Sequence, residues 1–234
     1  MLGFTLIDLA AAIFFIAAWL GYHAAVELTR AGDTSLNRLM NDFRFRWMEQ
    51  MVDRENRIVD TTILSALMNG TAFFASTSLL AIGGVLALLR SSEAVLPVFA
   101  GLPFGQGTTA LMWELKSIGL AVIFVYAFFK FAWSYRLFNY MAILVGAVPV
   151  LRSDNRDEAF RVARQAAEMN AVAGTHFNRG QRAFFFSLAY LGWFVSPYLF
   201  IAATAGVLYV MWRRQFISGA RAAVMGNDGT KRDA

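Results

Sequence analysis

Four apolar runs, at residues 4–25, 63–89, 115–136 and 183–212, constrain this chain more than any motif. A helix of about twenty apolar residues matches the hydrocarbon core of a bilayer. Composition agrees. The chain has 234 residues, 58% hydrophobic and 16% charged, with a mean hydropathy of +0.49. A soluble domain is nearer about 45–50% apolar and about 25% charged. The spacing predicts an all-α, polytopic membrane bundle of four transmembrane helices.

The first run begins without a basic segment and carries Asp8, so it reads as a retained span and not as a cleaved signal. Asp8 falls in the first helical turn, where an acid favours the helix dipole. Ala17, Gly21 and Ala25 recur every four residues, a spacing that lets another helix approach closely. They are a candidate helix–helix interface.

Residues 31–60 leave the membrane. Asp33, Thr34 and Ser35 offer an N-cap, and Leu36, Leu39, Met40, Phe43, Trp47 and Met51 recur at helical spacing. This predicts an amphipathic helix over about 34–57. In the second span Thr62, Ser65, Asn69, Ala72 and Ser76 follow at intervals of three and four. Such a stripe packs helices together, or it lines a polar path through Ser65, Asn69 and Ser76. Gly83 and Gly84 permit a close crossing near its far end. Four Pro and Gly breakers between 97 and 105 exclude one regular helix over 90–113, which reads as an interfacial or re-entrant loop.

The third span, 115–136 and extending to about 148, contains FVYAFFKFAWSYRLFNY with Lys130 at its centre. A separate fifth crossing over 137–151 would be about 22 Å long, short of a core of about 30 Å. One long helix is therefore expected. A second amphipathic helix is predicted over 153–173, capped by Ser153 or Asp154 and stopped at Gly174. The fourth span, 183–212, should kink at Pro197. Residues 213–234 read as a polar tail with a mobile end.

Thirteen basic residues lie between spans 1 and 2 or between spans 3 and 4, against seven in the other loop and the tail. The positive-inside rule then puts both amphipathic helices in the cytoplasm and both termini outside. The expected location is a bacterial inner (cytoplasmic) membrane. Arg213 and Arg214 fit that orientation badly.

Three blocks, NRIVDTTILSALMNGTAFFASTSLLAIGG, FVYAFFKFAWSYRLFNYMAILVGAVP and GTHFNRGQRAFFFSLAYLGWFVSPYLFIAAT, resemble a family of bacterial and plant membrane proteins catalogued as domain of unknown function 599. Their order covers roughly residues 45–220. The resemblance implies an integral membrane protein of several spans and carries over no activity and no site residue.

No cysteine is present, which excludes a disulfide framework, a thiol nucleophile and Cys-ligated zinc, and two histidines exclude a His-rich metal site. No G-x-S-x-G, H-E-x-x-H, P-loop or dinucleotide fingerprint occurs. An enzyme is not expected, and neither a catalytic residue nor a cofactor is assigned. His23 and His176 fall on one side and could ligate haem, but His176 precedes its span.

The predicted topology instead gathers Lys130, Asp60, Glu27, Arg136, His176, Asn178 and Arg179 toward the cytoplasmic side. An intramembrane charge is paired or functional. Lys130 lies sixteen residues from Glu114, about 24 Å along the helix, so it can also snorkel to the boundary. A carboxylate, from Asp60 or Glu27, is expected within its reach. These residues suit a structural clasp or a basic vestibule for an anion or lipid headgroup. The functional expectation is an oligomeric scaffold or partner subunit, with a channel or transporter as the alternative. Its partners would be the bilayer, anionic lipid headgroups and further copies or a membrane complex. The scattered basic residues point away from nucleic acid.

Overall fold

A computed structural model describes residues 4–90 and 109–226, and all regular structure among them is helical. The helices are α1 (Leu6–Glu27), α2 (Leu36–Val52), α3 (Ile58–Arg90), α4 (Ala110–Ala147), α5 (Arg156–Val195), α6 (Pro197–Phe216) and α7 (Gly219–Val224), with a 3-10 turn at Arg30–Thr34 before α2. Helices α1, α3 and α4 are each long and apolar enough to cross a membrane. The outward surfaces agree: Leu6, Ile13 and Leu20 of α1, Leu80 of α3 and Val122 of α4 are exposed, while Asp8, Asp60 and Lys116 are buried. Apolar side chains facing out and charges facing in mark an integral membrane protein.

Three expectations need correcting. First, no break separates the second amphipathic helix from the fourth span. Gly174 does not stop α5, and THFNRGQR is helical throughout. A glycine ends a helix by taking a left-handed φ. Among the described residues only Gly226 has a positive φ. Gly174 and Gly180 instead make room. A Cβ at 174 would lie 2.5 Å from the Arg44 guanidinium, and one at 180 would lie 2.7 Å from the Phe131 ring.

Second, Pro197 does not kink a span over 183–212 but ends one helix and starts another. Ser196 is extended, and its hydroxyl accepts from Leu199 N at 3.0 Å, with proline in the first turn of α6. A Cβ at Gly192 would come 3.2 Å from the backbone of Leu199, so α6 folds back on α5 as a tight helical hairpin.

Third, residues 213–216 finish α6 and 219–224 form α7, so the tail is ordered at its start. Of the loop expected over 90–113, Arg90 ends α3 and residues 110–113 begin α4, while 91–108 and the mobile end over 227–234 lie outside the described residues. Residues 137–147 continue α4 without interruption.

The chain divides into two compact units. One comprises Met1–Arg38, Leu79–Val125 and Arg182–Ala234. Here α1 and α5 run antiparallel, since Asp8 meets Trp193 while Glu27 meets Arg182. Helix α6 runs parallel to α1: Phe15 packs on Phe200 and the Tyr22 hydroxyl donates to the Met211 carbonyl at 3.3 Å. The interior is aromatic. Phe15, Trp19, Phe186, Tyr190, Trp193 and Phe200 meet ring to ring, stacked or edge-on. Such pairs add about 0.5–1.5 kcal/mol each beyond area burial.

The parallel course of α6 corrects the expectation that both termini share a side. Arg213 and Arg214 arrive at the same end of this unit as Glu27 and Arg182.

The other unit comprises Leu39–Ser78 and Tyr126–Gln181. Its core is methionine- and alanine-rich. Met48, Met51 and Val52 of α2 pack with Leu64 of α3, Phe138 and Met141 of α4, and Ala163, Ala166 and Ala167 of α5. Small side chains on α5 let the helices approach closely. Met48, Met51 and Val52 near the end of α2 are buried in this core, whereas Met40 and Phe43 of the same apolar stripe are exposed. The Phe131 ring stacks on Phe74 and seats on Gly180, and Ser134 Oγ donates to the Ala173 carbonyl at 2.8 Å.

Candidate functional site

The sequence places its charge cluster around Lys130. The structure distributes those residues differently. Asp60 is 1% exposed, and its carboxylate accepts from Trp47 Nε1 at 2.7 Å and from Arg54. Three residues earlier, Arg57 donates to the carbonyls of Val148 and Pro149 at 2.6 and 3.1 Å, closing the C-terminal end of α4. The start of α3 therefore lies beside the end of α4, and Phe74 lies beside Phe131. Asp60 is fourteen residues from Phe74, about 21 Å along α3. That distance corrects the expectation that Asp60 pairs with Lys130. The Lys130 ammonium sits over the Tyr126 ring at 5.2 Å.

Glu27 is engaged by Arg182 and by His23 Nδ1 at 3.4 Å. Arg136 is exposed; its Nε donates to the Tyr140 hydroxyl at 2.7 Å and its guanidinium covers that ring. His176 packs edge-on against Trp133. Asn178 and Arg179 are half-buried on α5.

Asp60→Ala leaves the half-buried Trp47 N–H without its acceptor. We expect a loss of about 2 kcal/mol, with little from Arg54, whose side chain is 41% exposed. Asp60→Asn keeps an acceptor and should cost about half as much. Thermal melting of the two variants in detergent checks this, and equal losses would refute it.

The polar row on α3 faces outward: Ser65, Asn69 and Ser76 are exposed. On α1, Ala17 and Gly21 are exposed and Ala25 is half-buried, and all three line a groove against α6.

One charge pair was missed. Asp8 and Lys116 are 4% and 5% exposed. Asp8 closes a capping box with Thr5, accepting from its backbone N at 3.1 Å while Thr5 Oγ1 accepts from Asp8 N at 3.2 Å. It also accepts from Trp193 Nε1 at 2.8 Å, and the Lys116 ammonium stands 4.0 Å away. Lys116 Nζ donates to the Trp193 carbonyl at 2.8 Å, where the last turn of α5 presents its negative dipole end. Both charges are thereby paired and hydrogen-bonded, as burial demands. The available signal was opposite charges near the starts of two spans that the predicted topology begins on one side.

At the other end of the same unit, the Arg182 guanidinium lies over the Tyr22 ring at 6.0 Å. One of its amino groups, Nη1, finds no acceptor among the described residues, nor does the amide nitrogen of Gln215, and both side chains are more than nine-tenths buried.

A family model described as protein of unknown function, DUF599, matches residues 10–220. The chain belongs to that family. The match takes in most of α1, beyond the blocks that carry the resemblance in sequence, and all of the polar contacts above except those of Thr5 and Asp8. No curated protein and no solved structure matches this DUF599 chain.

Proposed function

We propose that this DUF599 protein is a non-enzymatic, oligomeric scaffold or partner subunit of the bacterial inner membrane. One observation carries the reading. On α3, Ser65, Asn69, Ala72, Ser76, Leu79, Gly83 and Leu86 recur at alternating intervals of four and three, and all but the half-buried Ala72 are exposed. That is the heptad spacing of a left-handed helix pair. Small and polar side chains along it allow close approach and cross-helix hydrogen bonds in a lipid setting. A second copy presenting the same seam would supply both.

The topology supports four crossings by α1, α3, α4 and the apolar half of α5, with α6 returning as a fifth. The five basic residues of the tail then join the thirteen near the amphipathic segments, leaving Arg90 and Lys116 at the opposite side. That asymmetry orients α2 and the start of α5 toward the cytoplasm.

Because the chain has no cysteine, a single introduced one reports on its own position. Ser76→Cys should form disulfide-linked dimers in native membranes, and Phe73→Cys, exposed off the seam, should not. Bulk at Gly83, where an added Cβ meets nothing within 4 Å, should leave the fold intact: Gly83→Leu is expected to shift the wild-type oligomer toward monomer by about tenfold, since lost packing of about 1.4 kcal/mol is a factor of ten. A monomeric wild type by native mass spectrometry, or equal cross-linking at 73 and 76, overturns the proposal.

A further inference from the structure

We propose that the groove between α1 and α6 binds one anionic phospholipid, its phosphate near Arg213 and Arg214 and an acyl chain lying along α1. The groove has a volume of about 560 Å³ and apolar walls, with Ala17, Gly21 and Ala25 facing Ala205, Leu208 and Trp212. It runs from Phe14 to Ala25, about 16 Å along the helix axis. Half of a hydrocarbon core is about 15 Å. The groove is thus one leaflet deep, which suits an acyl chain.

The chemistry changes at one end. Tyr22 and Trp212 close the groove there, aromatics of the kind that sit at headgroup level. The guanidinium of Arg182 lies over the Tyr22 ring. Arg213 and Arg214, both exposed, follow Trp212 directly. A cationic mouth on an apolar groove complements an anionic headgroup on an acyl chain.

Charge also disfavours a second copy in this groove. Symmetric copies in a membrane meet same end to same end, which would set Arg213 and Arg214 against their own counterparts. The anionic leaflet of a cell membrane is the cytoplasmic one, the side to which the basic residues assign this end. The inference does not depend on the α3 seam.

Native mass spectrometry of the delipidated full-length protein, titrated with phosphatidylglycerol, phosphatidylcholine or inorganic phosphate, tests it. One phosphatidylglycerol per chain should bind, about tenfold or more tightly than phosphatidylcholine, and inorganic phosphate should not compete. Each cation near the surface is worth about a fivefold change, so the double variant Arg213→Gln/Arg214→Gln should lose about twentyfold for phosphatidylglycerol and nothing for phosphatidylcholine. Gly21→Leu should abolish retention of both lipids while melting like wild type, because a Cβ at 21 meets nothing within 4 Å. Equal affinity for the two lipids, competition by phosphate, or retention by Gly21→Leu overturns the proposal. So does disulfide cross-linking of Gly21→Cys between chains, which would make the groove a contact between copies.

Discussion

Asp8→Ala should destabilise the protein by about 3–5 kcal/mol, because it leaves the Lys116 ammonium buried without its counter-charge. Lys116→Ala should cost a similar amount by stranding the Asp8 carboxylate. The pair Asp8→Leu/Lys116→Met removes both charges at once, and a well-packed apolar substitute for a buried ion pair is often close to neutral. It should therefore recover most of either single loss. Part will not return: Asp8 also caps α1 through Thr5 and accepts from Trp193, and Lys116 satisfies the Trp193 carbonyl. Equilibrium unfolding in mixed micelles checks this. If the double variant is as unstable as the sum of the singles, Asp8 and Lys116 are independent and the pair is no unit.

Phe131→Ala should cost about 3–5 kcal/mol, the range for truncating a buried aromatic. The side chain is fully buried, stacked on Phe74 and edge-on to Phe177. Gly180→Ala should cost about 1–3 kcal/mol by driving a methyl into that ring. Adding Phe131→Leu should relieve part of the Gly180→Ala loss, since the smaller side chain leaves the space. By contrast Lys130→Met, at a half-buried position over the Tyr126 ring, should cost less than Phe131→Ala. The same unfolding measurement ranks them. A larger loss at 130 than at 131 would restore the lysine as the centre of this stretch.

That contrast shows what kind of signal a sequence carries. In FVYAFFKFAWSYRLFNY the lysine is the conspicuous residue, but Phe131, one of many aromatics there, is the most fully enclosed of its rings. Which of several rings is enclosed depends on which helix faces it. Here that was decided by Gly180, forty-nine residues away in sequence. Gly174 misled for the same reason. A glycine after an amphipathic segment resembles a stop, and only the Arg44 guanidinium lying against it distinguishes a stop from a seat. Pro197 was legible as a disruption. Whether the chain bends or reverses there depended on Ser196 capping the next helix and on Gly192 admitting Leu199.

By itself the sequence determined that the chain is helical and built for a membrane. Run length and apolar content act locally, through the cost of leaving backbone groups unpaired in lipid. The four- and three-residue spacing on α3 and the small row on α1 were equally legible, since helical periodicity needs no partner to be read. Only the tertiary structure decided which charges meet. Asp8 and Lys116 are far apart in the chain, and their pairing rests on α1, α4 and the end of α5 converging at Trp193. Tertiary packing also decided that the α3 row faces outward and that α6 turns back along α1. A helix periodicity says which residues share a face, but the direction of that face is fixed by contacts with other helices.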